Sequence, residues 1–517
     1  MSRRNLLAGG GAVVGLAALA GAGAVGYKWG RHEDRLTVES AQRAAAAAER
    51  AAAAQTPGGE VHSFLSRLDL QPPILSVDVV NSPAGAPPYV FLANKGYAGP
   101  KSVGQRGQLI AGRNGDIAWF NPVTQGQVID FNVQTYRGKP VLTWWNGQTG
   151  GTYGSGNCYI ADDGYTQIAE VKCGNGLMAD MHEFNLTSQG TALVDAYKPQ
   201  RADMTSVGGK KNGVVAAGMV QEIDVATGDV IFEWNSLDHV PLTESMVPPA
   251  KGAGTSGYPY DYFHINSIGV AWDGDLLVSA RNTSTVYKIG RRDGQVRWRL
   301  GGKSSSFSMG PGARFYYQHH VRSAGTGVLT LFDDAGGPPQ MEPQSRGIIL
   351  KLDTAAMTAT LRQAFTSPAK LLAPNQGSMQ LLPGGGALVG WGAMPYYTEF
   401  NADGSVSMNG QLPNNDQSYR AFAGTWAGYP KDKPAVALRT NPAQGTAVYV
   451  SWNGATEVAT WQVLAGKQPS SLAAVATQPR AGFETMIIAD STGPYFVVAG
   501  YDASGRQLGE SAIERLA

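Results

Sequence analysis

The sequence predicts an all-β protein built around a β-propeller, in which sheets of short strands are arranged in a ring. From about residue 75 to residue 430, short apolar runs alternate with Asp-Gly, Asn-Gly and Thr-Gly turns, and this pattern is typical of antiparallel strands. The chain of 517 residues contains 67 glycines and 29 prolines but only 16% charged residues, so turn formers are frequent enough to divide it into many strands. A single large propeller accounts for residues 75–430.

A loose repeat of a turn followed by a strand supports the propeller. The four copies of the repeat are residues 114–119, 227–234, 293–298 and 403–406. Recurrence of such a unit at irregular intervals is typical of propeller blades. The intervals are too irregular to fix the number of blades.

Residues 1–30 have the pattern of an export segment. Arg3 and Arg4 precede an uncharged apolar run that lasts until Lys28, and adjacent arginines in this place are the signature of twin-arginine export. Residues 6–26 are also roughly long enough to span a bilayer. We therefore expect an exported protein, extracellular or membrane-anchored with its body facing outward, whose membrane contact is confined to this segment.

Two further segments flank the predicted propeller. Residues 31–60 are rich in alanine and end near Pro57, which predicts an exposed helix that acts as a spacer. Residues 431–517 contain several alternating strand patterns with a tryptophan, Trp452, in an early one, and these favour a small β-sandwich of fibronectin-like type. The alternative is a last blade that closes the propeller.

The two cysteines of the chain flank a predicted hairpin. Cys158 and Cys173 lie on either side of a turn at residues 162–164, so they are expected roughly opposite each other on two strands. In an oxidising compartment this placement predicts a disulfide. A pair of reduced thiols in the core is the alternative.

The charge balance excludes one class of partner. The chain has 41 basic and 40 acidic side chains, a formal charge of +1, and this supplies no field that would attract nucleic acid. We expect no nucleic-acid partner.

Residues suited to chemistry are concentrated in four segments, residues 179–184, 261–268, 277–284 and 315–320. They contain the histidines 182, 264, 319 and 320 and the arginine 281. Strand ends in a propeller line its central channel, so residues distant in sequence can meet there. Arginine offers a fork of donors to a tetrahedral oxyanion, and histidine serves as nucleophile or acid near neutral pH. The segments therefore predict a pocket that processes an anion.

A metal centre is the alternative use of the same histidines. Asp180 and Glu183 would then be further ligands. The His-x-His and His-x-x-x-His spacings typical of zinc ligands are absent from the sequence. We therefore predict no metal.

In their order along the chain, these segments resemble the central signature of the arylsulfotransferase family, in the branch shared by actinobacteria and fungi. The resemblance covers most of residues 85–430. The matching segments are Asp180 to Phe184, His-Ile-Asn-Ser at 264–267, Ser-Ala-Arg-Asn-Thr-Ser at 279–284, Val-Arg-Trp-Arg-Leu-Gly-Gly at 296–302, Gln318-His319, Leu-Phe-Asp-Asp at 331–334, Ser-Met-Gln-Leu-Leu-Pro at 378–383, Trp391-Gly392 and Glu399-Phe400.

This resemblance implies a six-bladed propeller enzyme that moves a sulfuryl group from a phenolic sulfate ester to another phenol. The substrates would be small aryl sulfates and phenols, with neither a nucleotide donor nor another cofactor. The Gln-His motif gives the nucleophile's role, through a sulfohistidine intermediate, to His319. The other catalytic positions implied are His182, His264 and Arg281.

The resemblance also implies substrate-binding positions and one departure from the family pattern. Asn266 lies beside the implied catalytic residues. An acidic residue often follows the nucleophile in related sequences, whereas this chain has His320, to which we assign a substrate-binding role. The choice of nucleophile between His319 and His320 therefore stays open.

Two other functions compete with the transferase. In one, the propeller is a binding module for a polyanion or a protein and the histidines are structural. In the other, the scaffold carries a metal-dependent hydrolase. Metal analysis together with a sulfate-transfer assay separates the three.

Overall fold

Almost all regular structure in this protein is β-strand. The computed structural model describes residues 61–96, 104–150, 152–413, 416–441 and 445–516. The predicted export segment and alanine-rich helix lie outside these residues. Within them, the helices are short 3-10 turns, Thr205–Val207, Ser236–Asp238, Leu242–Glu244 and Pro383–Gly385, and none is long and apolar enough to cross a membrane. The all-β prediction is confirmed.

The strands follow one another closely, as the dense turn pattern predicts. The first twelve are β1 (Ser76–Val79), β2 (Tyr89–Gly96), β3 (Gly107–Gly112), β4 (Ile117–Pro122), β5 (Gln127–Tyr136), β6 (Lys139–Gly150), β7 (Tyr153–Ala161), β8 (Gln167–Val171), β9 (Ala179–Leu186), β10 (Thr191–Ala202), β11 (Gly213–Asp224) and β12 (Val230–Asn235). The next fourteen are β13 (Ile265–Val270), β14 (Leu276–Ala280), β15 (Thr285–Ile289), β16 (Val296–Gly301), β17 (Ser308–Met309), β18 (His319–Ser323), β19 (Val328–Asp333), β20 (Arg346–Asp353), β21 (Thr358–Phe365), β22 (Ser378–Leu381), β23 (Ala387–Gly390), β24 (Tyr396–Phe400), β25 (Val406–Gln411) and β26 (Asp416–Gly424). The last eight are β27 (Ala435–Asn441), β28 (Gly445–Ser451), β29 (Thr460–Gly466), β30 (Ala473–Pro479), β31 (Glu484–Ala489), β32 (Tyr495–Tyr501), β33 (Gln507–Glu510) and β34 (Glu514–Arg515).

Strands β1 to β26 form five sheets. Their orders are β26-β2-β3-β4, β5-β6-β7-β9-β10-β11-β12 with β8 on β7, β13-β14-β15-β16, β18-β19-β20-β21-β17, and β22-β23-β24-β25-β1. The longest sheet consists of two successive meanders, because β7 and β9 share only the pair Gly156 and Ala179. The first strands of the meanders, β5, β9, β13, β18, β22 and β26, each contact the next, and β26 contacts β5. The blade number stays a prediction.

The predicted repeat marks one place in these sheets. Each copy is the turn into the outermost strand of a meander, leading to β4, β12, β16 or β25. In the two central copies the turn glycines, Gly228 and Gly294, have φ of 79° and 68°, a left-handed conformation that glycine adopts without a steric penalty. The turn-and-strand interpretation of the repeat is confirmed.

Burial follows the position of a strand in its sheet. Every residue of β14 and β15 is buried, and both strands are apolar along most of their length, as strands covered on two faces are. Leu276, Val278 and Tyr287 share a core with Val220 and Trp234 of the preceding sheet. Full burial of a side chain such as Leu276 contributes about 1.5–3 kcal/mol. Packing between neighbouring sheets therefore holds the first strands in place.

Strands β27 to β34 form two further sheets, ordered β27-β28-β31 and β30-β29-β32-β33 with β34 on β32. Residues of both sheets, among them Val448, Trp461 and Val498, share one hydrophobic core. The separate domain at 431–517 and its fibronectin-like type stay predictions.

The two cysteines lie in the first meander of the longest sheet. Cys158 is opposite Val171 across β7 and β8, and Cys173 lies two residues beyond that partner. Cys158 is buried, Cys173 is half-buried, and both thiols are free. The disulfide stays a prediction.

Candidate active site

Three buried histidines from three different first strands each bind an aspartate through Nδ1. His182 lies within β9, His264 directly precedes β13 and His319 begins β18. The pairs are His182 with Asp180, His264 with Asp261 at 2.6 Å, and His319 with Asp334 at 2.6 Å. A carboxylate that accepts a hydrogen bond from Nδ1–H keeps the proton on that nitrogen, so the lone pair of Nε2 stays free. The arrangement therefore prepares three imidazoles for chemistry at Nε2.

Aromatic rings bring these histidines together. The ring centres of His182 and His264 lie 5.0 Å apart. The ring of Tyr419, on β26, lies 5.7 Å from that of His182 and 6.4 Å from that of His319, edge-on to both. Tyr197 lies 6.5 Å from His182 and 6.3 Å from His264. We call the group of His182, His264, His319 and Arg281 the histidine site.

Arg281 directly follows β14 and joins the histidine site through main chain and side chain. Its N–H donates to the carbonyl of His264 at 2.8 Å. Its guanidinium donates to Asn282 Oδ1 and to the carbonyl of Pro374, both at 3.0 Å, and lies 4.9 Å from the ring centre of Tyr317. None of the described residues forms a salt bridge with Arg281, so its charge stays available to a bound anion.

Burial and neighbouring charge keep the nucleophile candidate neutral. Burial lowers the pKa of His319 well below its ordinary value, and the positive charge of Arg281 lowers that pKa further. Burial also lowers the pKa of His264, against the opposing effect of Asp261. Since a neutral imidazole is the nucleophilic form, His319 is ready to react at neutral pH.

Asn266 lies in β13 with one side-chain atom unused. Its amide nitrogen donates to the carbonyl of Gln318 at 2.7 Å, which ties it to the residue before His319. Its Oδ1 is buried and has no hydrogen-bond partner among the described residues. A buried polar atom without a partner is costly unless a ligand or water satisfies it.

His320 is not part of the histidine site. Its Nδ1 donates to the carbonyl of Met379 at 3.0 Å, and its ring lies 5.4 Å from that of Phe422. It lines a separate cavity of about 400 Å³. We call this space the ion-pair cavity and define it by the residues Asp130, Glu183, His320, Arg322, Gln380 and Arg420.

Salt bridges dominate the ion-pair cavity. Arg420 binds Asp130 at 2.9 Å and Glu183 at 3.3 Å, and Arg322 binds Glu183 at 2.9 Å. Arg420 also donates to the carbonyls of His182, at 2.8 Å, and Asn266, at 2.9 Å. The salt-bridge network of the cavity therefore also binds the main chain of β9 and β13, two strands that carry or adjoin the histidine site.

The backbone beside the histidine site adopts rare conformations. His264, Tyr317 and His320 have φ of 54°, 58° and 53°, in the left-handed region that costs about 1–2 kcal/mol for a residue other than glycine. The register between β18 and β19 shifts between His319 and Arg322. Such bulges redirect side chains beside active sites, which agrees with the different environments of His319 and His320.

One residue of the site was not predicted from the sequence. Tyr419 was not singled out, although the adjacent pair Tyr419-Arg420 in an apolar segment was a usable signal. Tyr262 and Phe263, from the predicted segment 261–268, are buried in a hydrophobic core. Glu183, the alternative metal ligand, is bound by arginines.

One set of described residues is suited to a metal ion. Asp180, His182 and Asp195 offer ligand atoms that lie within 4.8 Å of one another. In this structure Asp180 accepts hydrogen bonds from the main-chain N–H groups of Gly154 and His182. Because Asp180 also binds Nδ1 of His182, the contacts present are those of an oriented imidazole, the form described above.

Fold and site together define a class of protein: a β-meander protein that holds oriented imidazoles beside an unpaired guanidinium. Comparison with protein families narrows this class. The family model described as arylsulfotransferase (ASST) matches residues 132–412, more than half of the chain. The chain belongs to this family, as the motifs predicted, and the family assigns it to aryl sulfotransfer in general.

Other comparisons add no function. Several solved structures are similar at low identity: a protein from Lactobacillus plantarum (14% identity, TM-score 0.35, covering 78% of this chain and 99% of that one), a catalytically inactive virginiamycin B lyase from Staphylococcus aureus (8%, 0.34, 74% and 97%) and a periplasmic gluconolactonase from Pseudomonas aeruginosa (13%, 0.31, 83% and 96%). At these TM-scores the likenesses carry no argument. No curated protein matches the chain.

Proposed function

We propose that this protein transfers a sulfuryl group from a phenolic sulfate ester to an acceptor phenol through a covalent intermediate on His319. One observation carries the proposal. The buried imidazole of His319, bound at Nδ1 by Asp334, has its pKa lowered by burial and by Arg281. This is the nucleophile of a two-step transfer, with the cation that binds the transferred group beside it.

In the first step, the lone pair on Nε2 of His319 attacks sulfur. An N–S bond forms, the S–O bond to the aryl ring breaks, and the phenol oxygen leaves with the bonding electrons. Arg281 binds the sulfuryl oxygens, and it is free to neutralise their charge because no described carboxylate forms a salt bridge with it. Fixed donors of this kind contribute most where charge develops in the transition state.

Proton transfer accompanies both steps. A phenolate leaves more readily when an acid protonates its oxygen. We assign this role to His182 or His264, whose Nδ1 atoms are held by Asp180 and Asp261. In the second step the acceptor phenol returns a proton to the same histidine, its oxygen attacks sulfur, and the N–S bond breaks.

The test is a search for the intermediate. Purified full-length protein is mixed with 4-nitrophenyl sulfate without an acceptor, and peptides are mapped by mass spectrometry. We expect a sulfuryl adduct on His319 that disappears, with formation of a new aryl sulfate, when phenol is added. His319→Asn should abolish adduct and turnover, and the matched variant His320→Gln should keep both.

Other outcomes identify the alternatives. An adduct on His320 would contradict our choice of nucleophile. Full turnover without an adduct on any histidine would replace the two-step mechanism with direct transfer between bound phenols. Hydrolysis that depends on a tightly bound stoichiometric metal would favour a metal-dependent hydrolase that uses Asp180, His182 and Asp195.

The proposal extends to architecture and location. We infer a closed ring of six blades, supported by the order in which the six first strands contact one another. We infer export by the twin-arginine route, supported by Arg3 and Arg4 ahead of the apolar run. An exported enzyme without a nucleotide donor would depend on aryl sulfates outside the cytoplasm.

A further inference from the structure

A second cation lies near the end of a second strand, in a different sheet from Arg281. Arg281 directly follows β14, the second strand of its sheet counted from the first strand of the meander, and Lys95 is the penultimate residue of β2, the second strand of another sheet. Each cation lies over a tyrosine ring, Arg281 at 4.9 Å from the centre of Tyr317 and Lys95 at 5.7 Å from that of Tyr419. Both sheets therefore carry a cation at the same end of their second strand.

Lys95 forms no salt bridge with a carboxylate among the described residues. Its backbone pairs with that of Gln417 on β26, and its ammonium lies over the ring of Tyr419. Burial lowers the pKa of Lys95 to about 8. An ammonium kept half-buried without a counter-ion is unfavourable unless it binds an anion.

Tyr419 contacts both Lys95 and the reacting groups. Its ring contacts the ammonium of Lys95 as well as the imidazoles of His182, at 5.7 Å, and His319, at 6.4 Å. The ammonium of Lys95 and the imidazole of His319 can be no farther apart than the sum of their distances from the ring centre of Tyr419. A benzene ring with a sulfate ester at one end and a charged group at the other has a comparable length.

We propose that Lys95 binds a second anionic group, such as a carboxylate, on the aromatic ring of the substrate, and so selects aryl sulfates and phenols that carry one. The inference rests on the proposed function, because it assumes that the aryl group occupies the histidine site. Arg281 belongs to the histidine site, where the sulfuryl group would be held, whereas Lys95 contacts the ring of Tyr419. Arg281 would therefore bind the sulfuryl group, and Lys95 would bind the second anionic group.

The test measures binding rather than turnover, so it does not depend on sulfuryl transfer. Isothermal titration calorimetry compares 4-hydroxybenzoate with 4-methylphenol, which differ in the charge opposite the hydroxyl. We expect the full-length protein to bind 4-hydroxybenzoate at least about tenfold more tightly, since a charge-assisted contact to a half-buried ammonium is strong. Lys95→Met should remove this preference and leave 4-methylphenol binding within about twofold. Lys95→Arg, which keeps the cation, should retain the preference.

Three results would overturn the inference. The first is equal binding of the two phenols, or no binding of 4-hydroxybenzoate, by the unsubstituted protein. The second is a preference that survives in Lys95→Met, which would assign the carboxylate to Arg281. The third is an equal loss of binding affinity for both phenols in Lys95→Met, although the thermal unfolding of this variant is unchanged. If the preference depends on Lys95 but no sulfuryl adduct forms on any histidine, the site selects anionic phenols and the proposed chemistry alone is wrong.

Discussion

The histidine site and the ion-pair cavity are built from adjacent residues of the same strands. On each of the strands β9, β18 and β26, one residue belongs to the histidine site or contacts it, and the next residue lines the cavity. The pairs are His182 and Glu183, His319 and His320, and Tyr419 and Arg420. Successive side chains of a strand point in opposite directions, so one set of strands builds both places.

What differs between the two regions is how charge is balanced. In the ion-pair cavity, Arg322 and Arg420 are matched by the carboxylates of Asp130 and Glu183. In the histidine site, Arg281 donates to neutral oxygens and forms no salt bridge with any carboxylate that the structure describes. Matched charges hold strands together, whereas an unmatched cation is available to an anionic substrate. The comparison teaches that the buried cations of this fold divide into structural and functional ones by their partners.

The largest effect on stability is expected in the ion-pair cavity. Arg420→Met leaves Asp130 and Glu183 buried without their shared cation and removes two hydrogen bonds to strand carbonyls. We expect the free energy of unfolding to fall by about 3–5 kcal/mol, as when one partner of a buried ion pair is removed. Chemical denaturation measures the loss. Adding Asp130→Asn should restore part of it, and a loss below about 1 kcal/mol would show that the network is not structural.

The matched change in the histidine site should separate activity from stability. Arg281→Met removes the cation that binds the sulfuryl oxygens, so kcat should fall by about 100-fold to 1,000-fold. Because no salt bridge is broken, the free energy of unfolding should change by less than about 1 kcal/mol. Steady-state kinetics and denaturation on the same preparation decide this. If Arg281→Met were as strongly destabilised as Arg420→Met, the division into structural and functional cations would be wrong.

The smallest effect concerns acid. Burial lowers the pKa of His320 well below its ordinary value, with Arg322 and Arg420 adding to the shift. Below about pH 6.5 the unfolded chain therefore binds a proton that the folded protein does not, and stability falls as the pH falls. His320→Gln can still donate to Met379 and should reduce the stability lost between about pH 7.5 and pH 5.5 by about 1 kcal/mol. Thermal unfolding at both pH values tests this, and an unchanged loss would contradict the neutral state of His320.

Much of the fold was predictable because turns carry local signals. Gly228 and Gly294 occupy left-handed positions in turns, and such positions leave a mark in the sequence that needs no tertiary information. The histidine motifs were predictable for another reason, since dense polar and aromatic residues inside apolar strands are unusual. The sheet order was not predictable from residues alone, because the pairing of β26 with β2 joins segments that are far apart in the chain.

The separation of His319 from His320 was not predictable either. Both lie in one short strand, and the shift in register between β18 and β19 depends on how the two strands meet. Lys95 was missed because a lysine near the end of a strand is ordinarily a solvated residue. Its proposed role depends on its contact with Tyr419, which lies more than three hundred positions later in the chain.

The ends of the second strands make this protein suited to stepwise redesign. Arg281 directly follows β14 and Asp334 directly follows β19, whereas Lys95 is the penultimate residue of β2, so three sheets each carry a charged residue near this end. In the sheet of β22 to β25 that place, directly after β23, holds Trp391. A small library that varies only Lys95 would alter what the protein recognises while the strands that carry the imidazoles keep their sequence. Substrate range would then evolve sheet by sheet, independently of the reaction itself.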